Sequence, residues 1–185
     1  MPHQFMAIDC KKCGYGYCPV CKDKCPECGE IDIANEKTMQ TRKQMKEHID
    51  KNKKRYFAYG SNMDAEQILR RCPQSERQEK AKLSGFEFFI NRRGVASIRR
   101  KASKNVWGIV YSITKNDEVS LDEYEGYPDV YKKERLSELN AFCYIDPTEE
   151  SGSPRAGYMG KIVKAAQSND FPKEYINELT TWLNQ

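Results

Sequence analysis

Residues 56–63 read Tyr56-Phe57-Ala58-Tyr59-Gly60-Ser61-Asn62-Met63. The aromatic and apolar left half suits a buried strand, and Gly60 breaks it. Ser61 or Asn62 is then the expected helix cap, with Asp64 and Glu66 in the first turn, where negative charge is favoured. The helix runs through Ile68 and Leu69 to Arg70 and Arg71. It stops at Cys72, because Pro73 disfavours helical geometry in the residue before it. A strand, a glycine turn and a helix start leave several backbone N–H groups without internal partners. Gly60 has no Cβ, so another molecule can approach the main chain there. The stretch predicts a small anion cradle for a carboxylate or an oxyanion; an ordinary strand-to-helix turn is the plainer alternative.

Downstream, Phe86, Phe88 and Ile90 alternate onto one face of a strand, Asn91–Gly94 is a turn, and Val95–Ile98 is a second strand. Arg99, Arg100 and Lys101 are expected to break toward solvent before a central strand over residues 105–113. A helical turn at 117–124, strands at 131–136 and 141–145, and a loop at 152–157 follow. A short helix is expected at 162–166. Pro172 opens a last helix with Tyr175, Ile176, Leu179, Trp182 and Leu183 on one face. Short strands with few, scattered helices predict an α+β fold, a small mixed β-barrel or curved sheet with flanking helices.

Upstream the composition changes. Cys10/Cys13, Cys18/Cys21 and Cys25/Cys28 are three CxxC pairs and hold six of the eight cysteines. Each CxxC turn points two sulfurs at one centre, and two such turns complete a tetrahedral zinc site. The preferred set is Cys10, Cys13, Cys25 and Cys28, with Cys18 and Cys21 available for a second site or for bridging. Disulfides and iron are the alternatives. Residues 1–34 are therefore read as a zinc-ribbon-like segment holding a structural zinc, and residues 35–54 as a basic, helical linker. A second domain spans 55–185. The ribbon and linker suggest a protein or nucleic-acid partner, although a solvated linker helix is the plainer reading. The formal charge of +4 adds little, because six thiolates around one divalent metal would cancel it.

No apolar run is long enough to cross a bilayer, and Met1–Asp9 lacks a signal-peptide core, so no membrane role is expected and a cytoplasmic location is. Both histidines, His3 and His48, precede Tyr56. The second domain therefore has no Ser/His or Cys/His nucleophile system, and acid–base chemistry there falls to carboxylates, tyrosine or lysine.

The Tyr59-Gly60-Ser61-Asn62 turn resembles the signature of the γ-glutamylcyclotransferase superfamily. Leu121-Asp122-Glu123-Tyr124-Glu125-Gly126-Tyr127-Pro128 resembles that family's second motif, whose carboxylate precedes the glycine. The likeness extends through Val106–Tyr111 and Phe171–Tyr175, covering about Arg55 to Leu183. It implies a small barrel enzyme that needs no cofactor for catalysis and releases 5-oxoproline from a small-molecule γ-glutamyl amine or peptide. Glu125 is implied as general acid/base. Tyr59, Gly60, Ser61 and Asn62 are implied as substrate-binding, with Tyr131 and Tyr158 shaping the pocket. Burial among Tyr124, Tyr127 and Tyr131 would raise the Glu125 pKa. The chain departs from the family in its cysteine-rich start and in the loop at 152–157. Arg92, Arg93, Arg99 and Arg100 would favour an acidic substrate if they bordered the pocket. The alternative to an enzyme is a non-catalytic ligand-binding barrel whose ribbon engages a partner.

Overall fold

A computed structural model of the chain describes residues 53–184 and, ahead of them, a two-residue strand pair, Ile8–Asp9 with Gly16–Tyr17. The chain divides into two units between Asn52 and Lys53, and the second is described below. The ribbon cysteines Cys10, Cys13, Cys18, Cys21, Cys25 and Cys28, and the linker up to residue 52, lie outside the described residues.

The second unit is an α+β fold built on one five-stranded sheet with four α-helices. Its strands are β1 (Lys54–Ala58), β2 (Glu76–Ile90), β3 (Ala96–Ile113), β4 (Lys132–Leu136) and β5 (Ala141–Ile145). Its helices are α1 (Ala65–Arg71), α2 (Lys115–Glu125), α3 (Tyr158–Ser168) and α4 (Lys173–Thr180). The sheet order is β2-β3-β1-β5-β4. β1 pairs antiparallel with β3 and parallel with β5, so Tyr56 faces Tyr111 on one side and Phe142 on the other. No helix among the described residues is long and apolar enough to cross a membrane.

Three expectations change. First, Arg99, Arg100 and Lys101 do not interrupt a strand, because β3 runs unbroken for 18 residues. Their charges are answered from other strands: Arg99 and Lys101 pair with Glu87 of the adjacent β2 at 2.7 and 3.2 Å, and Arg100 with Glu134 of β4, at the far end of the ladder, at 2.6 Å. Second, neither Ser61 nor Asn62 caps α1. A 3₁₀ turn, Ser61–Met63, intervenes, and Asp64 Oδ1 accepts from Gln67 N at 2.8 Å. Third, the barrel is not closed by backbone hydrogen bonds. Among the described residues β2 and β4 are the two ends of the ladder, and side chains reach across the opening: Arg100 of β3 pairs with Glu134 of β4, and Ser84 Oγ of β2 donates to Glu138, just past β4, at 3.2 Å.

The core lies between the sheet and its helices. β1 and the middle of β3 are buried on both faces, which fits the near-continuous apolar runs Tyr56–Tyr59 and Ile109–Tyr111. Leu121 of α2, Met159 and Ile162 of α3, and Tyr175 and Leu179 of α4 fill the helix side. Fully burying side chains of this size contributes about 1.5–3 kcal/mol each, and that burial holds the β1–α1 turn against the end of α2.

Candidate active site

α2 carries Glu125 on its last residue, and both helix ends are locked. At the start, Thr114 Oγ1 accepts from Asp117 N at 3.2 Å while Asp117 Oδ2 accepts from Thr114 N at 3.0 Å, a reciprocal capping box. At the end, Gly126 adopts φ 62°, a left-handed conformation that only glycine takes without strain. The chain then turns through a cis Tyr127–Pro128 bond toward Tyr131.

Glu125 faces a cavity of about 260 Å³, and it is the only carboxyl among the described residues of the wall. It accepts no hydrogen bond and forms no ion pair among the described residues, although Arg71 and Arg93 share the wall. Burial pushes its pKa up to about 7, against the opposing pull of those two guanidinium groups. The electronegative C-terminus of α2 acts in the same direction as burial. Of the three tyrosines expected to shelter it, only Tyr131 is buried; Tyr124 and Tyr127 are exposed.

Tyr56, Tyr59, Tyr131 and Tyr158 of the cavity stay neutral near pH 7. Burial pushes Tyr131 up to about 12, holds Tyr56 and Tyr59 well above the usual phenol range and raises Tyr158 too. Their hydroxyls already serve the scaffold. Tyr59 donates to the Tyr144 carbonyl. Tyr131 donates to Ala96 O at 3.1 Å and accepts from Asn91 Nδ2 at 3.0 Å. Tyr158 accepts from Ala96 N at 3.1 Å. Asn62 is likewise occupied: its amide donates to Tyr56 and accepts from Gln67 and Arg71. These side chains shape the wall, and they leave Glu125 and the backbone of the turn open. Met63 N and Asp64 N close the 3₁₀ turn onto Gly60 O and Ser61 O. The N–H groups of Gly60, Ser61 and Asn62 meet no acceptor among the described residues.

All seven residues expected to form the site, Tyr59, Gly60, Ser61, Asn62, Glu125, Tyr131 and Tyr158, line this one cavity. Of the four arginines considered from sequence, only Arg93 reaches it, and it is paired with Asp146 at 2.8 Å. Arg92 pairs instead with Glu150, and Arg99 and Arg100 pair across the sheet. Sequence reasoning did not single out Arg71, Tyr144 or Arg155 for the cavity. Arg71 carried a faint signal, standing nine residues beyond Asn62 on the helix that the turn starts. Arg155 carried none beyond its place in the loop that departs from the family pattern. Among the described residues no group of three or more His, Cys, Asp or Glu is placed to hold a metal ion.

One carboxyl poised near neutrality, among fixed cations and free N–H donors, suits acid–base chemistry on an anionic substrate. The fold and the cavity thus describe an α+β enzyme whose cavity, among the described residues, is lined by a single carboxyl and by no histidine or cysteine. Residues 56–160 match the family described as gamma-glutamyl cyclotransferase, AIG2-like. The mouse and human proteins named gamma-glutamylcyclotransferase are each 32% identical over 142 residues, covering 67% of this chain and 76% of the relative. A solved structure named gamma-glutamyl cyclotransferase superposes with a TM-score of 0.60 at 29% identity, covering 69% of this chain and 86% of that one. The chain belongs to the gamma-glutamyl cyclotransferase, AIG2-like family and is an enzyme of the gamma-glutamylcyclotransferase type.

Proposed function

We propose that the protein releases 5-oxoproline from a γ-glutamyl amine or peptide, with Glu125 as the general acid/base. The observation that carries this reading is the state of Glu125: buried enough to titrate at about 7, yet bonded to nothing among the described residues. A carboxyl of ordinary pKa is too weak a base for an ammonium group, and a partnered one is not available. Glu125 accepts a proton from the substrate's α-ammonium group. The freed amine attacks the substrate's own γ-carbonyl carbon, forming the ring C–N bond. The protonated Glu125 then gives its proton to the leaving nitrogen as the original C–N bond breaks, and takes up the second proton of the ring nitrogen, which the departing amine carries off as an ammonium ion. No water and no second reactant enter the balance.

Attacking amine and carbonyl belong to one molecule, so the cavity need only hold the folded-back rotamer; positioning of this kind is worth about 7–11 kcal/mol at its best. The N–H groups of Gly60, Ser61 and Asn62 receive the substrate carboxylate or the oxyanion that develops on the γ-carbonyl. Tyr59, Tyr131 and Tyr158 give the wall its shape, and Asn62 fixes the turn. An open carboxyl also weighs against the non-catalytic alternative, since a ligand-binding barrel has no use for it. The test is to incubate the protein with γ-glutamyl amino acids and amines and detect 5-oxoproline by mass spectrometry. Glu125→Gln should lower the rate by about 10²–10⁴-fold; a variant as active as the wild type would remove Glu125 from the chemistry.

For the rest of the chain the reading rests on sequence. The three CxxC pairs support a structural zinc ribbon over residues 1–34, with Cys10, Cys13, Cys25 and Cys28 as ligands and Cys18 and Cys21 in reserve. Residues 35–54 would join it to the enzyme domain at 55–185. Native mass spectrometry should find at least one zinc ion per chain, lost on Cys10→Ser/Cys13→Ser substitution; a metal-free native chain would rule the ribbon out.

A further inference from the structure

The arginines of the cavity differ in what already neutralises them. Arg93 has Asp146 at 2.8 Å. Arg71 and Arg155 form no ion pair among the described residues, and they stand at different depths. Arg71 is half-buried beside the Gly60 turn, with its guanidinium 3.3 Å from the centre of the Tyr124 ring and a hydrogen bond to Asn62 Oδ1. Arg155 is exposed, on the loop that leads into α3, and forms the outer rim.

Arg155 is nonetheless held at two points. Its backbone N–H donates to Gly94 O at 3.0 Å, and its Nε donates to Arg93 O at 2.8 Å. Gly94 makes this possible. Its φ is 75°, and a Cβ built there would stand 2.8 Å from Arg155 Cγ, so the arginine stem lies where a side chain would otherwise be. With Nε anchored, Nη1 and Nη2 have no acceptor among the described residues. A guanidinium fixed through Nε and open at both terminal nitrogens offers two parallel donors, the geometry that grips a carboxylate.

Charge points the same way. Three arginines and one carboxyl line the cavity, and only Arg93 has an acidic partner. A γ-glutamyl group brings one carboxylate of its own, which the Gly60 turn and Arg71 can take at the inner end. Arg155, at the rim, then faces the part of the substrate that projects toward solvent, the amine that will leave.

We propose that Arg155 is a specificity-determining residue that holds a carboxylate on the leaving amine, making the substrate a γ-glutamyl amino acid or peptide rather than a γ-glutamyl alkylamine. The inference rests on the cyclisation proposed above. Its test uses a substrate pair that differs only in the charge at issue: γ-glutamyl-alanine and its C-terminal amide, each assayed for 5-oxoproline with wild type and with Arg155→Gln. A charge-assisted bidentate contact predicts that wild type prefers the free acid in kcat/KM by about 10- to 100-fold. Arg155→Gln should bring that ratio close to unity. A ratio is read within each protein, so a general loss of folded enzyme does not disguise the answer. Wild type that releases 5-oxoproline from acid and amide equally well would overturn the assignment while leaving the cyclisation standing. So would an acid-to-amide preference that survives Arg155→Gln. Release from neither substrate, nor from any other γ-glutamyl compound, would overturn the cyclisation and the assignment together.

Discussion

Replacing Glu125 by Gln should stabilise the protein in alkaline solution while removing its activity. Burial displaces this carboxyl from 4.5 to about 7. Between those values the native state holds a proton that the unfolded chain has released, so native stability falls as pH rises. The sign follows from the raised pKa: the contribution is fully present below 4.5 and has been lost once pH passes 7. At about 1.36 kcal/mol per pH unit the complete loss is about 3 kcal/mol. Glu125 is only partly buried, and solvent at the cavity mouth reduces this to about 1–2 kcal/mol. The glutamine amide carries no charge and escapes the loss. Urea denaturation of both proteins at pH 9 should show the variant ahead by about 1–2 kcal/mol, and at pH 5 the gap should shrink below about 0.5 kcal/mol. A gap that is the same at both pH values, or a variant weaker than wild type at pH 9, would refute the claim that the native fold bears the cost of this charge.

The activity of the wild type should carry the same signature: kcat/KM should rise with pH through a limb centred at about 7, where Glu125 ionises, and that limb should be missing from the residual activity of Glu125→Gln. Gly126→Ala should cost about 1–2 kcal/mol in thermal or urea unfolding, because φ is 62° there and the new Cβ would lie 2.8 Å from Val130 Cγ2. A variant as stable as wild type would mean that the end of α2 adapts freely.

The parts of the fold that sequence disclosed are those set by near neighbours. The Tyr59–Asn62 turn and the end of α1 before Pro73 each depend on two or three adjacent residues, and they stand where expected. Arg99-Arg100-Lys101 depends on residues far away. Three adjacent charges read as a break in the strand until Glu87 and Glu134 are brought alongside from positions 12 and 34 residues away; Arg100 and Lys101 do face solvent, as expected. The open ladder was hidden for the same reason, since whether β2 meets β4 is a property of the whole sheet. The site followed the same division. Glu125 and the turn were legible from contiguous motifs. Arg71 and Arg155 are recruited from a helix end and a loop by tertiary packing, and beyond Arg71's place on the helix that the turn starts, no local pattern distinguishes them from the other arginines. Tyr59 was expected to bind substrate and Tyr131 and Tyr158 to shape the pocket; the bonds that tie their hydroxyls to the scaffold are formed across the fold and have no local signal.

The two ends of the ladder bear on what the protein does in company. A strand margin offers a row of backbone donors and acceptors to any other strand, including one from a second copy of the same chain. Here β4 is Lys132-Lys133-Glu134-Arg135-Leu136, and β2 opens with Glu76-Arg77-Gln78-Glu79-Lys80. A copy laid antiparallel along β4 would set Lys133 against Arg135 and Glu134 against its own counterpart, and one laid along either margin would have to desolvate these charged side chains. Sheet growth from molecule to molecule is discouraged at both margins, so an open ladder can carry an enzyme cavity without seeding fibrils at high concentration.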